Sequence, residues 1–360
     1  MIHASSTLVQ RECVVLKQAS VDASAVVLSV AISSFNTAKY VIAAVHSALV
    51  QTFPLLEVIV VDDGSTDDSL EGLARISDPR VSIIVQENRG LAGARNTGIL
   101  FGRGRYIGFL DSDDLWHNRK AEKHVALMQA DPSIGLTFSY SAYLDEDGVP
   151  TGQLLISRSK QPSARDLAFR NHVGNGSTPI IRRECFDQAG LFAEDLRSCE
   201  DYEMWVRIAA LTPYKVRLVP EVLTGYRVRS GSLTMSFDFF LEQGRKVVDR
   251  FTQYLRGFSR RDADRCYAEL VRIASRKALS NGEMVLSRRL LLEALRYCPT
   301  LMLRDPRAFG LFVIHGLSVA LPKRFEMSAY RAARALMKQF YSLFAVSHRH
   351  VGDCVGGWEQ

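Results

Sequence analysis

Four short apolar segments alternate with helix-like segments in the first third of the chain, and this alternation constrains the fold most. Each apolar segment has strand length and is bounded by polar residues or glycine, as buried strands of parallel sheets are. The segments are residues 25–32, 57–61, 81–85 and 106–110. The stretch after the first carries one apolar helical stripe, formed by Val41, Ala44, Val45 and Ala48. The repeated strand–helix order predicts an α/β fold, with a mostly parallel sheet flanked by helices.

The fourth apolar segment ends on a run of carboxylates, residues 111–114. In an extended chain Asp111 and Asp113 point to the same side, at the strand end where open α/β sheets bind ligands. Two converging carboxylates repel each other unless a cation lies between them, and Mg²⁺ or Mn²⁺ shared with a phosphate is a suitable cation. The alternative is an acidic turn that caps the next helix, and these residues alone leave both interpretations open.

The strand ends also limit the kind of ligand. Residues 33–38 lack the G-x-G-x-x-G pattern of dinucleotide-binding folds, and the sequence has no P-loop. Carboxylates follow both the second and the fourth strand. One of them can accept hydrogen bonds from a base or ribose, while the other pair can hold a metal on a diphosphate.

Five motifs in this region resemble the family 2 glycosyltransferases, which have the GT-A fold. They occur in the family's order and spacing, and the resemblance extends over residues 25–235. The motifs are residues 29–36, 51–54, 60–67, 88–96 and 111–114. The resemblance implies a GT-A catalytic domain at residues 25–236, preceded by an extension at 1–24 and followed by an α-helical region at 237–360.

The resemblance also implies the reaction. Family members transfer a sugar from a nucleotide diphosphate, most often UDP, with inversion at the anomeric carbon and help from Mn²⁺ or Mg²⁺. The expected acceptor is a hydroxyl of a glycan or a lipid-linked molecule in surface polysaccharide synthesis, with no nucleic acid partner. The Q-x-x-R-W signature of processive members is absent, which favours a single transfer.

Individual roles follow from the matching positions. The expected metal ligands are Asp111 and Asp113. The expected nucleotide-binding residues are Ser33, Phe35, Asp63, Arg89, Asp111 and Ser112. Simpler alternatives remain at this stage: Phe35 packs in the core, Asp62 caps a turn, and Arg95 with Asn96 braces its helix.

A second acidic pair, Glu200 and Asp201, precedes an apolar helical face, with Ser198 as the predicted N-cap. Acidic residues are favoured in a first helical turn in any case. The resemblance gives Asp201 the role of general base, which takes the proton of the acceptor hydroxyl. Glu200 is expected to contact the acceptor or to be structural.

Arg227 and Arg229 lie in the predicted closing loop, where the guanidinium donors of arginine match phosphate oxygens. They are expected to contact the diphosphate, unless the loop is only a solvated basic surface. Residues 150–178 predict an acceptor-binding loop. It contains the sequon at residues 175–177, which should remain unmodified in a cytosolic chain.

Charge is distributed unevenly. Residues 241–360 contain 21 Lys/Arg and 11 Asp/Glu, whereas residues 1–240 contain 24 and 28. A basic region indicates an anionic partner. Two helices are predicted near residues 268–279 and 285–295. The apolar residues 309–321 and the basic stretch after them are typical of an interfacial membrane anchor, or of a helix packed on the catalytic domain.

The remaining features concern localisation and competing functions. The six cysteines form no C-x-x-C pair, which fits a reducing cytosol. We find neither a signal-peptide core nor an apolar run of spanning length, and therefore expect a cytoplasmic protein, peripheral at the inner face of the membrane. The competing hypotheses are a nucleotidyltransferase, for which residues 33–39 lack a glycine-rich basic loop, and a non-catalytic scaffold.

Overall fold

The computed structural model describes residues 13–229 and 237–320. These residues form two compact units, the first within 13–229 and the second within 237–320. The expectations for residues 1–12 and for the basic stretch beyond residue 320 lie outside the described residues.

The first unit contains one ten-stranded sheet. Its strands are β1 (Cys13–Lys17), β2 (Leu28–Ser34), β3 (Leu56–Asp62), β4 (Val81–Gln86), β5 (Tyr106–Asp111), β6 (Leu115–Trp116), β7 (Ile134–Leu144), β8 (Pro150–Leu155), β9 (Ile180–Arg182) and β10 (Lys215–Arg227). The strand order is β1-β4-β3-β2-β5-β9-β7-β10-β6, and β8 pairs with β7. Residues 13–17, within the stretch predicted as an extension, form the edge strand β1.

The four strands predicted from apolar segments are all present and mutually parallel, in the order β4-β3-β2-β5. The rest of the sheet is mixed: β10 is parallel to β7, while β9 is antiparallel to both β5 and β7. The α/β prediction is therefore confirmed, and the parallel character holds mainly for the first half. The three-residue β9 was too short to predict from periodicity.

Helices flank this sheet. They are α1 (Val41–Leu49), α2 (Ser69–Ala74), α3 (Gly90–Phe101), α4 (Lys120–Ala130), α5 (Ala164–Phe169), α6 (Glu184–Ala189) and α7 (Glu200–Leu211). The predicted stripe of α1 is buried and packs with β2, β3 and β5 in the main apolar core. Strands β2 and β3 are buried along their full length, as expected for a sheet covered on both faces.

The second unit is helical, as predicted. Its helices are α8 (Phe237–Tyr254), α9 (Arg260–Ser280), α10 (Met284–Tyr297), α11 (Leu301–Arg304) and α12 (Pro306–Ala320). Ser259 and Asp262 form a capping box that fixes the start of α9. Leu279, Leu291, Leu311 and Ile314 form an apolar cluster between α9, α10 and α12. Among the described residues, no helix is both long and apolar enough to cross a membrane.

Candidate active site

Three neighbouring parallel strands bring the predicted donor-side residues to one edge of the sheet. Ser33 of β2 is in register with Asp111 of β5, and Ser34 with Asp62 of β3. The backbone N–H of Asp63 donates to Ser34 O at 2.8 Å, and that of Ser112 to Ser33 O at 3.3 Å. Positions 33, 63 and 111 therefore meet at the carboxyl end of the sheet, as predicted.

Asp63 is buried and already has several hydrogen-bond donors. Its carboxylate accepts from Gln86 Nε2 at 2.6 Å, Arg89 N at 2.9 Å and Gly90 N at 2.8 Å. Burial raises the pKa of this carboxyl, and the three donors oppose the shift. In this structure Asp63 fixes the turn from β4 to α3.

The neighbouring residues separate into structural and exposed groups. Asp62 accepts from Ser65 N at 2.8 Å, which confirms the turn-capping alternative. The ring of Phe35 is 47% exposed, so Phe35 is not a core residue. The side chain of Arg89 forms a 2.7 Å ion pair with Glu194. Its Nη1 atom is buried and has no hydrogen-bond partner among the described residues. The hydroxyl of Ser112 accepts from Thr37 Oγ1 at 2.9 Å.

Arg95 of α3 connects the two acidic motifs. Its Nη2 donates to Asp111 Oδ1 at 2.7 Å and its Nη1 to Glu200 Oε1 at 2.6 Å. The side chain is only 2% exposed. One guanidinium therefore holds the end of β5 against the start of α7, and Arg95 itself is 105 positions away from Glu200 in the sequence.

The environment of Arg95 is strongly acidic. Burial opposes its charge, but the carboxylates of Asp111, Glu200 and Asp201 outweigh burial and raise the pKa of the guanidinium. Gly176 lies directly against it: a Cβ at this position would come within 2.1 Å of Arg95 Nη2 and 3.0 Å of Asp111 Oδ2. Arg95 is thus a permanent cation in the centre of the site, and it was predicted only as a helix brace.

Asp113 has its own arginine. Arg229 Nε donates to Asp113 Oδ2 at 2.5 Å. Burial raises the pKa of the Asp113 carboxyl, the bond from Arg229 lowers it, and the charge of Asp111 raises it again. Of the two closing-loop arginines, Arg229 is therefore the one that reaches the predicted metal ligand.

Arg227 is occupied by the backbone instead. Its Nε donates to Asp113 O at 2.7 Å, and its Nη1 to Glu146 O at 3.0 Å. The guanidinium also lies 5.0 Å from the ring centre of Tyr40. Arg227 shapes the loop around Asp113, and this arrangement does not favour the predicted diphosphate contact.

Asp201 differs from the other carboxylates. It accepts one hydrogen bond, from its neighbour Tyr202 N at 2.6 Å, and forms no ion pair within the described residues. Burial, and next the charge of Glu200, raise its pKa to about 7, although Arg95 and the Tyr202 N–H oppose the shift. A carboxyl with this pKa can accept a proton near neutral pH, as a general base must.

Helix α7 begins differently from the prediction. Its N-cap is Cys199, in the left-handed conformation with φ of 61°, and no side chain caps the helix. The prediction of Ser198 as N-cap is wrong, because the sharp turn at Cys199 directs the chain into α7. Glu200 and Asp201 do lie in the first turn, as predicted.

The segment at residues 175–178, predicted only as part of an acceptor-binding loop, supports the acidic residues at the end of β5. Ser177 Oγ donates to Asp114 Oδ2 at 2.6 Å and accepts from Asp111 N at 3.0 Å. Asp114 is fully buried and also accepts from Arg227 N at 2.9 Å. The backbone of this segment is held as well: Trp116 Nε1 donates to Ser177 O at 2.9 Å and Lys120 Nζ to Thr178 O at 2.6 Å.

The prediction that residues 150–178 form a loop is wrong in part, since they include β8 and α5. Strand β8 forms a hairpin with β7. Helix α5 begins with a capping box between Ser163 and Asp166, and this S-x-x-D spacing is a sequence signal that could have revealed it. Residues 156–163 and 170–178 remain as connections.

The acidic residues suit a divalent cation only in part. In the described residues no group of three or more His, Cys, Asp or Glu is placed to hold a metal. Asp111 and Asp113 each keep one carboxylate oxygen outside their arginine hydrogen bonds, and such oxygens are hard ligands suited to Mg²⁺ or Mn²⁺. The pair fits a cation that takes its other ligands from a bound diphosphate or water.

Comparison with known proteins identifies the family. The sequence model of glycosyl transferase family 2 matches residues 29–190. The chain is 34% identical to the Escherichia coli UDP-Glc:alpha-D-GlcNAc-diphosphoundecaprenol beta-1,3-glucosyltransferase WfaP, over 58% of this chain and 79% of that protein. It is 32% identical to the putative teichuronic acid biosynthesis glycosyltransferase TuaG of Bacillus subtilis, over 58% of this chain and 81% of that protein.

Solved structures agree at the level of the fold. S. aureus TarS 1-349 in complex with UDP superposes with a TM-score of 0.55 at 18% identity, covering 87% of this chain and 91% of that one. The mannosyltransferase PcManGT of Pyrobaculum calidifontis, in complex with GDP-Man and Mn²⁺, gives 0.53 at 19% identity, covering 93% of both chains. With the sequence relatives, these GT-A type folds lead to one conclusion: the chain belongs to glycosyl transferase family 2 and is a glycosyltransferase.

Proposed function

We propose that this glycosyltransferase moves a sugar from a nucleotide diphosphate to an acceptor hydroxyl, in a single step that inverts the anomeric carbon. The observation that carries the proposal is Asp201, a carboxyl without a cationic side-chain partner in the described residues and with its pKa raised to about 7. It lies next to Glu200, which Arg95 joins to the donor-side Asp111. A base and a leaving-group site thus occupy adjoining parts of one site.

The proton and electron balance follows from this arrangement. The Asp201 carboxylate takes the proton of the acceptor hydroxyl while the hydroxyl oxygen bonds to the anomeric carbon. The bond from that carbon to the diphosphate oxygen breaks, and its electron pair leaves with the nucleotide. Because the base and the leaving group lie on opposite sides of the sugar, the configuration inverts.

On the donor side we assign the metal to Asp111 and Asp113. A bound Mn²⁺ or Mg²⁺ would neutralise charge that develops on the departing diphosphate. Arg229, which now pairs with Asp113, would meet a diphosphate at the same place. The base and ribose are assigned to Ser33, Phe35, Asp63, Arg89 and Ser112, with the exposed Phe35 ring available for stacking.

The names of relatives support a choice of substrates. WfaP is named for a UDP-glucose donor and a diphosphoundecaprenol-linked acceptor, and TuaG for teichuronic acid biosynthesis. We therefore propose a UDP-sugar donor, a glycan or lipid-linked acceptor, and a role in surface polysaccharide synthesis. PcManGT was solved with GDP-Man, which makes GDP the necessary comparison. The family assignment replaces the nucleotidyltransferase hypothesis.

The decisive test is the thermal stability of the full chain with UDP, GDP and other nucleoside diphosphates, with and without Mn²⁺. A ligand at one hundred times its Kd stabilises a fold by about 2.7 kcal/mol. We expect an Mn²⁺-dependent rise in Tm with UDP that Asp113→Ala removes, and transfer from a UDP-sugar that gives the inverted anomer by NMR.

Arg80→Gln is a suitable control, since Arg80 pairs with Asp78 in the turn before β4, and it should keep the full shift. A shift with GDP alone would change the proposed donor. No shift with any nucleotide, in folded protein, would overturn the proposed donor site.

A further inference from the structure

The helical second unit exposes large apolar side chains, most of them on two of its helices. On α10 these are Val285, 86% exposed, and Leu292, 52% exposed. On α12 they are Phe309, Phe312 and Val313, at 57%, 45% and 40%. Phenylalanine is seldom left in water by a packed helix, and a group of exposed apolar residues marks an interaction surface.

The exposed residues form a distinct face on each helix. On α12 their spacing is i, i+3 and i+4, which is one side of a helix. The opposite side contains the buried Ala308, Leu311, Ile314 and His315. Likewise, Val285 and Leu292 lie seven residues apart on α10, opposite the buried Ser287, Leu290, Leu291 and Ala294. The exposed side chains are therefore additional to the core.

The two helices are held together by that core. Ser287 Oγ and His315 Nε2 lie within hydrogen-bonding distance at 2.9 Å. Leu291 packs in the same cluster as Leu311 and Ile314. Removing an exposed phenylalanine should therefore leave the unit folded.

Arginines share the exposed face of α10. Arg288, Arg289 and Arg296 are all exposed and fall on the side that carries Val285 and Leu292. Arg289 lies 3.7 Å from Asp238, and both of these side chains are largely in solvent. We call this set the α10–α12 face, defined by Val285, Arg288, Arg289, Leu292, Arg296, Phe309, Phe312 and Val313.

The net charge of the chain indicates which kind of partner binds the α10–α12 face. Residues 237–320 contain 15 Lys/Arg and 9 Asp/Glu, and residues 321–360 contain 6 and 3. The chain's own C-terminal residues are thus as basic as the face, and a second copy would present the same positive charge. An anionic partner is favoured over both. Exposed Phe, Leu and Val side chains among arginines suit lipid better than nucleic acid, because they can enter the boundary between headgroups and acyl chains.

We propose that the α10–α12 face binds the surface of a bilayer that contains anionic phospholipid. The arginines would bind lipid phosphates through paired N–H donors, and Phe309 and Phe312 would insert among the acyl chains. This inference goes beyond the proposed reaction and does not depend on it. Donor binding could fail while lipid binding holds, and the reverse.

The test is sedimentation of the full chain with vesicles of phosphatidylcholine, with and without phosphatidylglycerol. We expect binding only to the anionic vesicles, weakened by salt because surface charges are screened. Phe309→Glu/Phe312→Glu should weaken it about tenfold or more. Arg288→Gln/Arg289→Gln should weaken it about 25-fold, since each basic residue near an anionic surface contributes about fivefold.

Leu55→Glu and Arg75→Gln are the matched controls. Both positions are exposed in the first unit, and both variants should bind the vesicles as the wild type does. Circular dichroism and Tm establish that each variant is folded. Equal binding to both kinds of vesicle, no binding, or an unchanged affinity of the folded phenylalanine variant would overturn the proposal. A wild-type dimer that the phenylalanine variant dissociates would identify a second copy as the occupant and also overturn it.

Discussion

The carboxylates on the two sides of the site have different partners. On the donor side, Asp111 is bonded to Arg95 and Asp113 to Arg229. On the proposed acceptor side, the one donor to Asp201 among the described residues is the backbone N–H of Tyr202. Glu200, its neighbour in sequence, accepts from the second donor of Arg95. Each of the other three carboxylates therefore has an arginine partner, and the proposed base has none in the described residues.

This difference in partners suits two different proposed roles, metal binding and proton transfer. A carboxylate that must bind a cation benefits from being ionised, and an arginine partner favours ionisation. A carboxylate that must accept a proton benefits from a pKa near the working pH. Burial and the charge of Glu200 raise the pKa of Asp201 to about 7, and the charge of Arg95 offsets this rise only in part. Our proposal thus gives aspartate two different roles in one site.

The largest expected effect comes from Asp201→Asn. Asparagine keeps the shape but cannot take a proton, so we expect kcat to fall by about 10²–10⁴-fold, the usual contribution of a general base. Binding of UDP with Mn²⁺, measured by calorimetry, should remain within a few-fold of the wild type. A variant that retains its transfer rate would show that another group is the base. Glu203→Gln is a poor control because Glu203 and its partner Arg207 are buried. Glu71→Gln is a good one, since Glu71 and its partner Arg75 are exposed.

The second prediction concerns Arg95, which stands between the two sides. Its charge lowers the pKa of Asp201, so Arg95→Gln should raise that pKa. In the wild type, kcat/KM should fall at low pH with a midpoint near pH 7, where Asp201 becomes protonated. In the variant we expect this midpoint to rise by about one pH unit, which corresponds to about 1.4 kcal/mol of lost interaction with Arg95. Below this midpoint, kcat/KM should fall tenfold per pH unit in both proteins.

Arg183→Gln is the matched control for this experiment. Arg183 donates to the carbonyls of Ile99, Gly102 and Gly104 at the far end of α3. The loss of Arg183 should destabilise the protein without moving the midpoint of the pH dependence of kcat/KM. If both variants move it equally, the shift reflects general loosening of the fold and the proposed influence of Arg95 is wrong.

The third prediction concerns Arg229, whose guanidinium donates to the Asp113 carboxylate. In Arg229→Gln the carboxylate loses a competing cation, so we expect Mn²⁺ alone to bind several-fold more tightly. Binding of UDP at saturating Mn²⁺ should weaken, because a phosphate-binding fork of donors is gone. Calorimetric titration measures both quantities. A decrease in Mn²⁺ affinity would mean that Arg229 helps to build the metal site.

The smallest effect is on stability. The folded-state pKa of Asp201 lies above its ordinary value of 3.8, so the folded protein holds this proton more tightly than the unfolded chain does. Its contribution to stability is therefore present at low pH and is lost as pH rises toward 7. Asp201→Asn should raise Tm by a few °C at pH 8, given about 2–4 °C per kcal/mol for a domain of this size. The difference should shrink at pH 5, and a variant less stable than the wild type at pH 8 would contradict it.

The sequence predicted the parallel half of the sheet because its strands are local, continuous apolar segments. Asp111, Asp113 and Asp201 were chosen from short motifs, and the structure does bring their segments together. The missing part was Arg95, whose partners are set by long-range packing that no spacing rule describes. Asp114 and Ser177 were missed for the same reason, since their hydrogen bond joins two segments 63 residues apart.

The C-terminal helices show a different limit. Periodicity located α9 and α10, but exposure and burial of apolar residues on α12 could not be separated without the packing of Leu311 and Ile314. A thirteen-residue apolar stretch has the same sequence pattern whether one side or both sides of its helix are buried. The structure supplies that distinction, and the α10–α12 face depends on it.

The contact between Gly176 and Arg95 has a practical consequence for engineering. Gly176 has no room for a side chain beside the guanidinium, and Asn175, Ser177 and Thr178 are buried. Libraries intended to change acceptor preference should keep this tetrapeptide constant. Diversity belongs in residues 156–163, a connection where new side chains need not displace the arginine that the two acidic motifs share.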